Sequence, residues 1–137
     1  MTARCFADTN VFVYAASHAV EDRTKKRIAR ALLSDEDIGL SAQVLQEFYA
    51  VATAKNRLGI SPDEARHAVE AMSKFPAAPI TADLVKEAIT LSVAYRLSYW
   101  DAAIVTAAQS LGCRILYSED LNNGQAFGNL EVRNPFV

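Results

Sequence analysis

Short apolar segments alternate with amphipathic segments along most of the chain, and this alternation constrains the fold more than any other feature. Arg4 to Ala7, Asp37 to Leu40 and Cys113 to Tyr117 are brief and apolar, as expected of buried strands. Helical periodicity fills most of the intervals between them. Strands that alternate with helices form parallel sheets with helices on both faces. The sequence therefore predicts an α/β fold with a parallel sheet of four to five strands.

Capping residues mark where the helices begin. Ser41, Thr81 and Ser98 are suitable N-caps because their side-chain oxygens accept hydrogen bonds from free backbone N–H groups. Ser61 and Glu64 fit a capping box, with proline at the first helical position. The predicted helices begin or run as follows: Val11 to Ala16, Asp22 to Ser34, Ala42 to about Arg57, from Ser61 onward, from Thr81 to about Leu97, and Tyr99 to Leu111.

Two further segments are predicted to lie towards the margins of the sheet. Phe75 to Ile80 is apolar but contains Pro76 and Pro79, which cannot donate to an interior ladder, so a strand there belongs at a sheet edge. Leu130 to Arg133 is expected to form a last short strand, after a turn at the Asn-Asn-Gly of positions 122–124. No repeat or linker interrupts the chain, and a single domain over residues 1–137 is expected.

Composition limits the classes of function. A formal net charge of −2 argues against a protein that coats nucleic acid through a generally basic surface. No apolar run approaches the roughly 20 residues that span a bilayer, and the first residues lack the apolar stretch of a signal peptide. A cytoplasmic protein without a membrane segment is therefore expected. Cys5 and Cys113 lack zinc-ligand spacing and are expected to be buried free thiols.

Four carboxylates are expected at one edge of the predicted sheet. Asp8 directly follows the first strand, and Asp120 follows the strand that precedes the Asn-Asn-Gly turn. Glu47 and Asp101 lie in the first two turns of helices with serine N-caps. Local roles are also open: Asp8 could cap a helix, Asp120 could make an Asx turn, and Asp101 could belong to a capping box.

The helix positions of two acids favour a site over a solvated surface. Glu47 shares a helix face with Val44 and Val51, and Asp101 shares one with Ile104. A carboxylate on an apolar face is costly unless it is paired or binds a metal ion, and few lysines or arginines lie nearby in sequence. Oxygen ligands alone suit Mg²⁺ or Mn²⁺. Acidic clusters that hold such ions are typical of enzymes that hydrolyse phosphodiesters.

The chain resembles the PIN-domain ribonucleases, specifically the VapC-type toxins of bacterial toxin–antitoxin pairs. Four segments carry the resemblance in order and spacing: FADTNVFVYA, LQEFYAVATAK, LSYWDAAIVTAAQSLGC and ILYSEDLNNGQ. The resemblance implies a PIN-like fold and an Mg²⁺- or Mn²⁺-dependent endoribonuclease that leaves a 5′-phosphate and a 3′-hydroxyl. It also implies a homodimer, and a VapB-type antitoxin that places a C-terminal segment across the active site.

The resemblance also implies roles for individual residues. Asp8 and Asp101 match the acids that ligate magnesium most directly, and Glu47 matches the helix glutamate that completes the cluster. Asp120 matches the fourth acid, two residues after a hydroxyl residue. The positions that support the cluster by hydrogen bonding are matched by Thr9, Asn10 and Ser118.

Three points stay open at the level of sequence. Glu119 is adjacent to Asp120 and could be the fourth acid, although the family spacing favours Asp120. The helices from Ala42 to Arg57 and from Ser61 to Lys74 are expected to form a hairpin with exposed apolar positions for a partner. A basic run is expected either to be a solvated helix face or to contact RNA phosphates; it comprises Arg23, Lys25, Lys26, Arg27 and Arg30.

Two alternative functions are also open. A non-catalytic PIN-like module would bind RNA or protein without cleaving it, but such a module has no need of the four acids that this chain retains. An aspartate-nucleophile phosphatase also begins with an aspartate after its first strand. That chemistry needs a second aspartate two residues later and a downstream lysine, whereas this chain has Asn10 in that place.

Overall fold

One sheet forms the centre of the molecule in the computed structural model, which describes residues Met1–Val137. Its strand order is β3-β2-β1-β4-β6-β5. All neighbouring strands are parallel except β5 and β6, which are antiparallel. The strands are β1 (Cys5–Ala7), β2 (Ile38–Ser41), β3 (Ala77–Ala78), β4 (Ile115–Tyr117), β5 (Ala126–Phe127) and β6 (Leu130–Arg133).

Six helices flank the sheet, and a short 3-10 turn at Val20–Asp22 precedes the second of them. Helix α1 packs against α2 and α3, α3 packs against α4, and α5 packs against α6. The predicted α/β architecture with a mainly parallel sheet is confirmed. The helices are α1 (Thr9–Ala16), α2 (Arg23–Asp35), α3 (Ala42–Thr53), α4 (Pro62–Met72), α5 (Ala82–Tyr95) and α6 (Tyr99–Ser110).

The capping residues act as predicted. The side-chain oxygens of Ser41, Ser61, Thr81 and Ser98 each accept a hydrogen bond from a backbone N–H group in the first turn of the helix that follows. The strand with two flanking prolines, β3, lies at the edge of the sheet, as their missing N–H groups require. The sheet has six strands rather than four to five, because the two-residue β5 forms a hairpin with the predicted last strand.

Two predicted helix ends are wrong, each because the next residue leaves helical backbone. Helix α3 ends at Thr53 instead of about Arg57, because Ala54 has extended backbone with a ψ of 130°. The predicted stop at Gly59, which has a φ of 62°, lies in the turn after the helix. Helix α5 ends at Tyr95, two residues early, because Arg96 has a φ of 56°. Such a conformation is usual for glycine and rare for arginine, so the sequence contains no stop signal there.

The core contains 29 buried hydrophobic residues, drawn from the strands and from the inner faces of the helices. Phe6, Leu40 and Leu116 fill the centre of the sheet, and Phe48 packs against it from α3. Cys5 and Cys113 are buried free thiols, as predicted. None of the helices combines the length and the apolar content that crossing a membrane requires.

Candidate active site

A pocket of about 290 Å³ opens at the carboxyl ends of β1 and β4. All four predicted acids line it, namely Asp8, Glu47, Asp101 and Asp120. No lysine or arginine is among the lining residues. This is the position at which open parallel sheets bind ligands, and the prediction that the acids meet at one edge of the sheet is confirmed.

Asp8 lies between β1 and α1 and has two functions in the local structure. It is the N-cap of α1, where its Oδ1 accepts a hydrogen bond of 2.7 Å from the backbone N–H of Thr9. Its Oδ2 accepts a second hydrogen bond, of 2.9 Å, from the Oγ–H of Ser118. The capping explanation is therefore correct for Asp8, and the capped carboxylate also lines the pocket.

The electrostatic environment of Asp8 disfavours its charged form. Burial raises the pKa of this carboxyl from 3.8 to about 6, against the opposing effect of the hydrogen bonds from Thr9 and Ser118. The charges of Glu47 and Asp120 raise it further. Burial is also the main cause that raises the pKa of Asp120, followed by its acidic neighbours. The only ion pairs of the chain involve other carboxylates, so no side-chain cation offsets this repulsion.

Ser118 connects the ends of β1 and β4. Its side chain is 1% exposed, and it donates to Asp8 while accepting hydrogen bonds from the N–H groups of Asp120 (3.2 Å) and Leu121 (3.4 Å). One buried hydroxyl thus fixes Asp8 and the backbone that carries Asp120. The structure gives Ser118 the supporting hydrogen bonds that the sequence predicts for it.

Removal of this hydroxyl is expected to destabilise the protein. Ser118→Ala leaves the buried N–H of Leu121 and the partly buried N–H of Asp120 without an acceptor, and Asp8 without its side-chain donor. This costs about 1–3 kcal/mol of unfolding free energy. Urea denaturation measures the change. The matched control is Ser110→Ala, which removes a hydroxyl that donates only to Ala107 at the end of α6. Equal, small losses in both variants would contradict a connecting role for Ser118.

Thr9 and Asn10 support the other acids from the first turn of α1. The Oγ–H of Thr9 donates to Glu47 Oε1 at 2.7 Å, which links α1 to α3 across the pocket. The Nδ2 of Asn10 lies 3.4 Å from Glu119 Oε1 and 3.4 Å from Asp120 Oδ2. Both residues line the pocket. Their contacts are those of supporting residues, as the resemblance implies.

Glu119 and Asp120 lie in different surroundings, which sequence alone does not reveal. Asp120 faces the pocket, whereas Glu119 does not line it. Glu119 forms an ion pair of 3.0 Å with Lys25 and accepts a hydrogen bond from the hydroxyl of Tyr14. The Lys25 ammonium also lies 4.7 Å from the centre of the Tyr14 ring, within the range of a cation–π contact.

Some basic side chains of α2 make contacts within the protein, and others are exposed to solvent. Lys25 pairs with Glu119, and Arg30 donates from Nε to the carbonyl of Ala15 at 3.0 Å. Arg23 and Arg27 are exposed. Two of the five basic side chains therefore serve internal contacts, and Arg23 and Arg27 are the clearest candidates for a contact with phosphate.

Asp101 enters the pocket from the first turn of α6. Its backbone N–H donates to the Oγ of Ser98, the N-cap, at 3.1 Å. The backbone N–H of Ser98 donates no hydrogen bond to the Asp101 carboxylate, so the acidic half of a capping box is not formed. The carboxylate lines the pocket instead.

Two pocket residues with polar or aromatic side chains are absent from the predicted site. Trp100 precedes Asp101 and lines the same pocket, and Gln43 lies opposite it near the start of α3. The Nε2 of Gln43 donates to the carbonyl of Trp100 at 3.2 Å, which joins α3 to α6 at the rim. The contact spans 57 positions of the chain, so local sequence patterns do not reveal it.

The acids fit a hard divalent cation by the chemistry of their donors. All four are oxygen ligands without a paired cation, which is the donor set that Mg²⁺ and Mn²⁺ prefer. No three of these side chains are already gathered as a coordination shell.

Comparison with solved structures finds the same fold in a toxin and in two complexes that contain one. VapC20 of Mycobacterium tuberculosis, a toxin that cleaves the sarcin-ricin loop, is 20% identical with a TM-score of 0.66 over 83% of this chain and 88% of that one. A toxin–antitoxin complex from Klebsiella pneumoniae is 20% identical with a TM-score of 0.67 over 96% of this chain and 97% of that one. VapBC2 of Rickettsia felis, bound to promoter DNA, is 19% identical with a TM-score of 0.61 over 95% and 97%.

Sequence comparisons give the family. Comparison with curated proteins finds no match. The profile of the PIN domain family matches residues 5–124, a stretch that contains the four acids and the residues that support them. The chain therefore belongs to the PIN domain family.

Proposed function

We propose that this chain is a divalent-cation-dependent endoribonuclease that acts as the toxin of a VapBC-type toxin–antitoxin pair. The observation that carries the proposal is the meeting of four unpaired carboxylates in one pocket of a PIN domain. Carboxylates in such a cluster repel one another, and a divalent cation relieves that repulsion. The solved structures with the same fold include a toxin and two toxin–antitoxin complexes, which supports the same assignment.

The four acids divide into two pairs by expected role. Asp8 and Asp101 are the principal ligands of Mg²⁺ or Mn²⁺, and Glu47 and Asp120 complete the site directly or through water. Asp120 is the fourth acid rather than Glu119, whose carboxylate is occupied by Lys25 and Tyr14. When bound, the cation would lower the pKa of water and neutralise negative charge on the phosphate.

The supporting residues keep the acids in place before substrate arrives. The Thr9 N–H and the Ser118 hydroxyl each hold one oxygen of Asp8, which fixes the plane of that carboxylate. The Thr9 hydroxyl holds Glu47, and Asn10 lies within reach of Asp120. Such partners orient metal ligands, and their loss typically costs 10- to 100-fold in affinity or activity. Thr9, Asn10 and Ser118 are therefore positioning residues in this proposal.

The products of cleavage test the proposed reaction. Attack by water leaves a 5′-phosphate and a 3′-hydroxyl, whereas attack by the neighbouring 2′-hydroxyl leaves a cyclic phosphate and a 5′-hydroxyl. We expect labelled RNA cut in Mg²⁺ to carry 5′-phosphate ends, and a single 2′-deoxy substitution at the cut position to leave cleavage intact. Cyclic phosphate products, or loss of cleavage in the deoxy substrate, would contradict attack by water.

The exposed arginines of α2 are expected to contribute to RNA affinity. The double variant Arg23→Glu and Arg27→Glu should weaken RNA binding and flatten its dependence on salt, because each phosphate contact releases counterions. Its affinity for Mn²⁺ should be unchanged. Filter binding at several salt concentrations measures the RNA affinity and its salt dependence. Calorimetry measures the affinity for Mn²⁺. Unchanged RNA affinity at low salt would show that this face is only solvated.

A groove between α3 and α4 is a second surface that we propose for the antitoxin, in addition to the active site that its C-terminal segment would cover. It has a volume of about 490 Å³ and lies on the predicted helix hairpin. Two of the structural neighbours are toxin–antitoxin complexes, which favours a peptide segment of a VapB-type antitoxin as the occupant. The groove is lined by Leu45, Gln46, Tyr49, Pro62, Arg66 and Val69.

We further propose that the protein is a homodimer and that it acts on RNA in the cytoplasm.

The alternative functions have less support. A phosphatase with an aspartate nucleophile needs a lysine beside the acids, and no lysine lines this pocket. A binding module would not require Ser118, Thr9 and Asn10 to hold carboxylates in an uncompensated cluster. Absence of cleavage for every RNA offered, with intact binding, would favour the module.

A further inference from the structure

The indole of Trp100 is the largest exposed apolar group at the mouth of the acidic pocket. Its side chain is 65% exposed although it lines the same pocket as Asp101, the next residue. It is the only tryptophan of the chain. A large aromatic group left in water beside a candidate active site suggests contact with a ligand.

The backbone beneath the indole is held firmly. Trp100 is in the first turn of α6, directly before the residue whose N–H is capped by Ser98. Its carbonyl accepts the hydrogen bond from Gln43, a residue only 8% exposed. The Tyr99 ring meets the indole edge to face, with ring centres 5.0 Å apart. These contacts fix the position of Trp100 at the rim while leaving most of the indole exposed.

The charges of the pocket show what kind of contact is missing. Four carboxylates and no lysine or arginine line it, so the protein offers no side-chain cation to the phosphate that would be cut. Within this pocket, affinity for the adjoining nucleotides therefore comes from the cation and from uncharged contacts, and the arginines of α2 lie outside it. Stacking of a base on an aromatic ring is such a contact, and it tolerates any base sequence.

We propose that Trp100 is a stacking platform for an unpaired RNA base beside the scissile phosphate. This inference rests on the proposed ribonuclease function and assigns a residue that binds its substrate beside the reacting phosphate. Bases within a duplex are already stacked on both faces, and reaching the indole would require their extrusion. The pocket should therefore accept single-stranded or looped RNA and discriminate against continuous duplex.

Substitution of Trp100 tests the inference, because the loss of a binding contact should change KM and not kcat. Loss of one base–aromatic stack weakens binding by about five- to 160-fold. We expect Trp100→Ala to raise KM for a single-stranded RNA by that factor with little change in kcat, and Trp100→Phe to retain most of the affinity. The control is Val93→Ala, which alters an apolar residue of α5 that is 76% exposed and does not line the pocket.

Fluorescence provides a readout that needs neither cleavage nor a metal ion. Because Trp100 is the only tryptophan, its emission reports on this position alone. Titration with a single-stranded oligonucleotide in EDTA should quench the emission, and a duplex of the same sequence should quench it far less. The factor by which Trp100→Ala weakens binding should also stay constant as salt rises, since stacking involves no counterion release.

The outcomes separate this inference from the ribonuclease proposal. Wild-type protein that cleaves no RNA refutes the ribonuclease, whatever the fluorescence shows. Active wild-type protein with an unchanged KM in Trp100→Ala, or with no quenching at saturating RNA, overturns the stacking role. A change of oligomeric state in Trp100→Ala, with KM unchanged, would assign the indole to a protein contact instead and would also overturn it.

Discussion

Asp101→Asn is expected to lower the rate of RNA cleavage by at least about a thousandfold while the protein folds normally. A bound cation supplies several kcal/mol to the transition state, and each 1.36 kcal/mol corresponds to about a tenfold change in rate. Asparagine has the shape of aspartate but not its charge. The helix cap is preserved, because Ser98 accepts its hydrogen bond from the backbone N–H of Asp101. Measured kcat/KM in Mg²⁺, together with a thermal melt, tests both expectations.

Asp83→Asn is the matched control for this variant. Asp83 is also an acid in the first turn of a capped helix, α5, but it is exposed and does not line the pocket. It should retain wild-type cleavage. Cleavage at an undiminished rate in Asp101→Asn would remove Asp101 from the site. Unfolding of Asp101→Asn, with Asp83→Asn stable, would assign the carboxylate a structural role.

Asp8→Asn is expected to stabilise the metal-free protein at neutral and higher pH. Burial raises the pKa of Asp8 from 3.8 to about 6, so the folded state binds more protons than the unfolded state between these values. Wild-type stability therefore falls as pH rises through this window and stays reduced above it. The charged carboxylate costs the folded state up to about 3 kcal/mol at pH 8. Asparagine avoids this cost but replaces the hydrogen bond with Ser118 poorly, and the net gain should be about 1–2 kcal/mol.

Urea denaturation in EDTA at pH 4.5, 6 and 8 measures this difference. The advantage of Asp8→Asn should be greatest at pH 8 and should vanish or reverse near pH 4.5. Glu70→Gln, an exposed substitution on α4, serves as the control and should show no such trend. Saturating Mn²⁺ should stabilise the wild type and not Asp8→Asn, because a ligand that binds the folded state alone raises stability. Lower stability of Asp8→Asn at pH 8 would mean that the hydrogen bonds of the cap outweigh the cost of the buried charge.

Local patterns in the sequence are sufficient to predict the architecture and the meeting of the acids. The alternation of strands and helices predicts a parallel sheet, and the ends of β1 and β4 then bring Asp8 and Asp120 together. Glu47 and Asp101 are predictable because a carboxylate on an apolar helix face requires a partner. The helix starts follow from single hydroxyl caps, which act within one turn.

The features that the sequence does not predict depend on contacts between distant residues. The choice between Glu119 and Asp120 depends on Lys25, which lies 94 positions from Glu119. The end of α5 depends on the left-handed backbone conformation of Arg96, for which the sequence gives no signal. The exposure of Trp100 is equally hidden, since an aromatic residue in a helix is more often buried.

Reversible dependence of RNA cleavage on a divalent cation is the most direct test of the account. Purified protein should cut single-stranded RNA in Mg²⁺ or Mn²⁺, stop when EDTA is added in excess, and resume when the cation is restored. Cleavage that continues unchanged in EDTA would contradict a cation site built from Asp8, Glu47, Asp101 and Asp120.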